Sequence, residues 1–485
     1  MFCEPSPVQH KCAVRRLTPN TMAHDCNVLH LDTVLWWGST MTLPKESPQR
    51  ERLTANDRRK PKPNIAPSNL FALRLALCSG SSGGLRENLP LASYSGVKEE
   101  TKMTKKMVVV SITLLLLLCA IALGPVPTAW AQELTWSPAN PMNKARGFFV
   151  ANELLNGNVL VAGGFDGGLQ GPPNFPDSEI YDWHTGLWTV TTPMNQARAA
   201  PASLRLENGR VMVIGGFDEN FNVLNSAEIY DSRTATWSLT APMSDARVED
   251  FVAVLLPGRK VLVAGGTASD GFTSLSSAEI FDEKSGAWSS TGSMNVGRGE
   301  FSSVVLHDGR ILAVGGIASD GTPIASAEIY DPVTAVWTLT GSMSTGRNDF
   351  ALVLLRDGKV LAAGGGMGDE TLPRLSSAEI FDPHTGEWTS TGDMTAPRSE
   401  MEHASLLLRD GRVLVPGGYT AHATPVATTD LYDPRSGTWT SGGLMNDNRT
   451  GQVALLLRGN RGVMVMGGID QEPVTTASVD IGQTH

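Results

Sequence analysis

The sequence predicts an all-β protein: seven four-stranded blades around one axis, a β-propeller closed by a strand from the N-terminal side. Three observations carry this. Gly-Gly doublets begin at 163, 215, 265, 315, 364, 417 and 467, steps of 49 to 53 residues. Each unit holds four apolar stretches separated by Gly, Asp and Pro turns, all too short for a helix of at least about 10 residues. The last unit lacks its fourth stretch, and a matching one stands at the start of the repeat region, Trp136 to Met142.

The four strands of a unit are legible in order. A Met-x-x-x-Arg corner, ending at Arg146, Arg198, Arg247, Arg298, Arg347, Arg398 and Arg449, precedes the first strand. A tight turn such as Asn-Gly or Asp-Gly leads to the second, which ends in Gly-Gly. The third carries Glu-Ile-Tyr-Asp or a relative, as at Glu179, Glu228, Glu279, Glu328, Glu379 and Asp430, and is degenerate in the seventh unit, ASVDI at 477–481. The fourth begins at a tryptophan seven residues after the aromatic: Trp188, Trp237, Trp288, Trp337, Trp388 and Trp439. The turns between the last two strands, such as DPVTAVW, use Pro to preset a dihedral and Asp to cap. Residues recurring in every unit are expected to be structural: aromatics filling the gaps between blades, and an Arg–Glu pair tying strands.

A Gly-Gly closing the second strand, followed by an aromatic and a tryptophan with six residues between them, resembles the kelch repeat. The resemblance runs through 132–485. It implies a seven-bladed propeller, a fold that commonly serves as an interaction module. It also brings to mind the kelch-type propeller of galactose oxidase, whose chemistry needs copper held by histidines and tyrosines, one tyrosine cross-linked to a cysteine. That set is not present here. The five cysteines, Cys3, Cys12, Cys26, Cys78 and Cys119, all precede residue 132. Of the six tyrosines Tyr94 precedes the repeats, and Tyr181, Tyr230, Tyr330 and Tyr432 occupy the repeated structural position, which leaves Tyr419. No pair of histidines has metal-ligand spacing. No cofactor and no metal ligand set is assigned.

The N-terminal part is different in kind. Lys105 and Lys106, an apolar run from Met107 to Leu123 and the Ala129-Trp130-Ala131 end describe a secretory signal peptide over 103–131. The expected mature chain starts at Gln132 and is exported, secreted or periplasmic; a membrane association follows only if 107–123 is not cleaved. Residues 1–102, rich in Arg, Pro and Ser, read as an over-extended start or a disordered tail. Residues 1–131 sum to +7 and residues 132–485 to −17. The acidic part is a poor partner for nucleic acid, which demands a basic surface.

Function is sought in what varies between units. The loops joining second and third strands are longer and more variable, and share a face with the Met-x-x-x-Arg corners. Two residues after the corner arginine stand Glu249, Glu300, Asp349 and Glu400 in four successive units, against Phe148, Ala200 and Gly451 in the others. Strict alternation would put them on the strand face of the arginine, near the channel mouth, with Asp250 and Glu402 close by. The expected ligand-binding set is therefore Arg247, Glu249, Asp250, Arg298, Glu300, Arg347, Asp349, Arg398 and Glu400. Three readings stay open: a salt-bridge ring with those arginines, a site for a cation or for a cationic or polyhydroxylated ligand, and a catalytic carboxylate pair. Asp270, Asp320 and Asp369 mark the loops as a further place for a ligand. The functional expectation is a monomeric binding module for a protein or carbohydrate, with no catalytic residue assigned. The alternative is a carbohydrate-active enzyme, a sugar epimerase or carboxylate-based glycosidase, using the acidic mouth.

Overall fold

The computed structural model describes residues 133–167, 174–368, 372–420, 424–459, 462–471 and 474–483. The expected leader 103–131, the stretch 1–102, Gln132, Asp369, His422 and His485 lie outside the described residues.

Strand follows strand because each apolar run of four or five residues is cut by a turn before a helix could close. In every unit with the Glu-Ile-Tyr-Asp motif the aspartate caps the next turn. Asp331 Oδ1, for example, accepts the Val333 amide at 2.8 Å. The result, among the described residues, is seven antiparallel blade sheets and one two-stranded ribbon, Ile469–Gln471 with Val474–Thr475. Blade 1 is Val150–Glu153, Val159–Ala162, Ser178–Asp182 and Leu187–Thr191. Blades 2 to 5 repeat that order, with first strands Ala202–Arg205, Val252–Leu256, Ser302–Val305 and Ala351–Leu354. The first strands of successive blades touch one another around the ring, and that of blade 7, Val453–Leu456, touches that of blade 1.

Closure is as expected. Thr135–Ala139 pairs antiparallel with Val479–Gln483, in register from Thr135 opposite Gln483 to Ala139 opposite Val479. It thereby supplies the fourth strand of blade 7, so that Val479–Gln483 is paired on both sides and is not left as an open edge.

The core lies between blades. Second strands such as Val211–Ile214 and Ile311–Val314 are buried residue by residue, because a blade packs on both of its faces. The fourth strands form the exposed outer rim. Each Tyr or Phe of the third strand is buried against the tryptophan that follows, with ring centroids 5.0 to 5.1 Å apart in six blades. Of these six tryptophans Trp337 is fully buried and the other five are half-buried. They tie blades by donating to a main-chain carbonyl of the preceding blade, as Trp237 Nε1 does to Thr192 O at 3.1 Å.

The doublets are glycine for a steric reason. Gly215 has φ +63°, and a Cβ there would stand 2.3 Å from the carbonyl oxygen of Arg247 in the next blade. No L side chain fits.

Blade 6 breaks the pattern. Its first strand is reduced to Leu406–Leu407 after a turn at 402–404. Its third and fourth strands lengthen to Thr424–Asp433 and Thr438–Arg449.

Candidate functional site at the channel mouth

The corner arginines come first, because they are not where the sequence placed them. All seven are buried, with 0 or 1% exposure. Each pairs with the third-strand carboxylate of its own blade: Arg247 with Glu279 at 3.3 Å, Arg298 with Glu328 at 3.0 Å, Arg347 with Glu379 at 3.1 Å and Arg398 with Asp430 at 3.4 Å. Arg449 completes the series on Asp480 at 2.7 Å, inside the degenerate strand. Each guanidinium also donates to the first Gly carbonyl of its doublet, as Arg298 does to Gly315 at 2.9 Å. The carboxylate in turn accepts corner amides, as Glu328 does from Asn295 and Val296 at 2.7 and 2.9 Å. Burial lowers the pKa of these arginines against the pull of their partners. The expected Arg–Glu tie between strands is therefore present in every blade. Arg247, Arg298, Arg347 and Arg398 form no ion pair with the mouth carboxylates, so the expected salt-bridge ring there is corrected.

The reason is a backbone turn. The second residue after the arginine is not in an extended strand. In all seven blades it has positive φ: Phe148 50°, Ala200 48°, Glu249 59°, Glu300 49°, Asp349 50°, Glu400 56° and Gly451 58°. A left-handed residue breaks the period of two. Neighbouring corners then meet around the axis: the Glu400 amide donates to Asp349 O at 2.8 Å, and the Asp349 amide to Glu300 O at 3.4 Å.

The carboxylates converge in consequence. Burial, then Glu249, with Asp250 and Glu402 adding to it, pushes Glu300 up to about 8. Burial, then Glu300, Glu402, Asp250 and Glu400, holds Asp349 well above the usual carboxylate range. Burial also raises Glu249 against a hydrogen bond from Thr267. Asn348 bridges two of these groups, its Nδ2 donating at 2.7 Å to both Glu300 Oε2 and Asp349 Oδ2. The mouth opens on the channel, a cavity of about 350 Å³ lined by first-strand residues such as Phe149, Ala202, Ser302 and Leu352 and by Asp250, Glu402 and His403.

His403 is the residue that sequence reasoning left unassigned. Its Nε2 lies 2.8 Å from Asp250 Oδ1 and 4.0 Å from Glu402 Oε1. Those carboxylates raise it to about 9 although burial opposes this. Glu402 rises to about 7, from burial first and Asp250 second, partly offset by His403. Spacing could not reveal the group: Asp250 belongs to blade 3 and His403 to blade 6. By contrast His184, His307 and His384 sit in the turns of the other face.

The variable loops adjoin this mouth. In each blade the residue after the corner arginine bridges to the residue after Gly-Gly, and in blades 1 to 4 that residue bridges onward into the loop, as Val248 to Thr267 to Ser274. Asp270 and Asp320 are spent on their own loops. Asp270 accepts from Phe272 and Thr273, which holds it down near 2, and Asp320 accepts from Thr322.

Comparison with known proteins completes the site. The family profile described as Kelch motif matches residues 208–244, 299–344 and 350–395. The chain carries kelch motifs on a seven-bladed propeller. Kelch-like protein 25 of Xenopus tropicalis is 43% identical over 75 residues, which are 16% of this chain and 12% of that protein. The human protein of the same name is 42% identical over 73 residues, 15% and 12% of the two chains. The chain thus spans about an eighth of the length of these relatives. A solved structure titled a novel fungal alcohol oxidase of the AA5 family, in complex with copper, superposes with a TM-score of 0.59 at 19% identity, covering 72% of this chain and 76% of that one. The likeness is one of fold. Tyr181, Tyr230, Tyr330 and Tyr432 are buried between blades, Tyr419 is buried beside the blade-6 corner, where it bridges to Ser399, and His403 lines the channel.

Proposed function

We propose that this kelch propeller is an exported interaction module whose mouth receives a cationic group, a lysine or arginine side chain, from a protein partner docked on the long-loop face. One observation carries the reading. Glu249, Glu300 and Asp349 crowd one another at the mouth with no Lys or Arg in ion-pair range among the described residues, while the corner arginines are consumed elsewhere. Like charges held together in a partly dry site favour an incoming cation.

The sign with pH follows. A cation binds the ionised carboxylates, so docking releases protons and tightens as pH rises through about 8, the value for Glu300. Isothermal titration with short Lys- and Arg-containing peptides at pH 6 and 8.5 tests this. Binding should be tighter at pH 8.5, weaken with salt and be lost in the double variant Glu300→Gln, Asp349→Asn. Binding that is indifferent to both salt and these substitutions overturns it.

A second reading, a carbohydrate-active enzyme, draws on Glu300 at about 8 and Glu402 at about 7, carboxyls that hold a proton near neutrality and could donate it. Turnover of a glycoside panel that Glu402→Gln abolishes would favour it over the binding module.

A further inference from the structure

The repeat itself serves as a ruler, and it points to three residues. From corner arginine to the first glycine of the doublet is 17 residues in blades 1, 2, 4 and 5. It is 18 in blades 3 and 7 and 19 in blade 6. The side chain that packs on a neighbouring doublet shows where the extra residues sit. It lies three positions after the arginine at Phe149, Phe301, Phe350, Met401 and Gln452, but four after it at Phe251. Asp250 is therefore the inserted residue of blade 3. In blade 6 Met401 is in register, yet seven positions separate it from Leu408, which opens the hairpin, where Phe301 and Leu306 are five apart. The two extra residues form the turn that carries Glu402 and His403. Blade 7 has its extra residue at the far hairpin, since Gln452 and Leu457 are again five apart.

These insertions, from blades 3 and 6, meet in the channel. One ligand atom from each of Asp250, Glu402 and His403 lies within 4.8 Å of the others. Asp250 takes a second successive left-handed conformation, φ 38° after 59° at Glu249, to be there. Glu402 is about nine-tenths buried, and its Oε2 is shut off from solvent with no hydrogen-bond partner among the described residues. An unsatisfied buried carboxylate oxygen wants a donor or a cation. His403 is half exposed to the cavity, so an ion can enter.

We propose that Asp250, Glu402 and His403 form a binding site for a first-row transition-metal dication such as Zn²⁺. One imidazole nitrogen with two carboxylates suits that class, whereas Ca²⁺ takes oxygen ligands. Three protein ligands leave a coordination position open toward the channel. The site goes beyond the reading of a basic partner, which rests on Glu300 and Asp349, and its test uses no partner.

The test titrates untagged, metal-free full-length protein with Zn²⁺, with Co²⁺ for its visible spectrum, and with Ca²⁺. Expected are one Zn²⁺ per chain, a Co²⁺ spectrum with nitrogen ligation, and no response to Ca²⁺. Changes to groups behind a ligand cost 10–100-fold in affinity, so His403→Ala and the near-isosteric Glu402→Gln should each weaken binding by at least about 100-fold. His184→Ala, which removes a histidine 3.6 Å from Asp182 on the other face, should leave it unchanged. Circular dichroism checks each variant's fold, and Glu402→Gln decides if His403→Ala does not fold. Absence of binding to the wild type, or wild-type affinity in the folded variants, which would mean an adventitious ion only, overturns the proposal.

Discussion

Arg298 and Glu300 stand two residues apart and have opposite electrostatic fates. The arginine is buried with partners on both terminal nitrogens: Glu328 at 3.0 Å, the Gly315 and Ser326 carbonyls at 2.9 and 2.8 Å, and the Ser326 hydroxyl at 2.9 Å. The glutamate is pressed against other carboxylates, with the Asn348 amide as its recorded donor, and rises to about 8. The first arrangement recurs in all seven blades and holds the ring together. The second occurs on one arc of the ring, where Asn348 joins Glu300 and Asp349 by hydrogen bonds and no Lys or Arg pairs with either among the described residues. A charge that the fold needs is neutralised by the fold; a charge left uncompensated is available to something else.

Three experiments separate the two regions, taken from the largest expected effect. Deleting residues 133–142 removes the fourth strand of blade 7 and opens the edge at Val479–Gln483. Loss of the cooperative unfolding transition, or dimerisation through that edge, is expected in calorimetry and light scattering. A monomer with unchanged melting temperature would show that the ring does not depend on closure.

Arg298→Ala comes next. It leaves the buried Glu328 with its corner amides and no countercharge, and removing one partner of a buried pair costs about 3–5 kcal/mol. Urea unfolding should show that loss, and the same change at Arg347 should match it. A loss below about 1 kcal/mol at both would mean that water reaches these buried pairs.

Glu300→Gln is the smallest and has the opposite sign. Folding raises this carboxyl from the ordinary 4.5 to about 8. Between those values the native state holds a proton that the unfolded chain has released, so stability falls as pH rises from about 4.5 to 8 and is level above. Melting temperature measured from pH 5 to 8.5 should decline in the wild type. The decline should be shallower in Glu300→Gln, which should equal or exceed the wild type at pH 8.5. A parallel decline in both would place the titration on other groups.

Much of the fold was legible because a propeller writes itself repeatedly. The doublets, the aromatic–tryptophan spacing and the displaced strand at Trp136 each follow from one local requirement met seven times. The site was legible only in part. Glu249, Glu300, Asp349 and Glu400 were visible as departures from the repeat, but their geometry was misread, since alternation assumes extended backbone and the corner is left-handed. The same assumption put Arg247, Arg298, Arg347 and Arg398 at the mouth when they lie buried between strands.

By itself, then, the sequence determined the blade, the blade number and the closing strand, because periods and turns act over a few residues and are recorded locally. The tertiary structure alone decided which charges meet. Asp250 and His403 are 153 positions apart and bond at 2.8 Å because two blades face each other across one channel. An inserted residue alters the length of its unit, which the sequence shows. Where the added side chain ends up depends on the curvature of the whole ring, which no single unit contains.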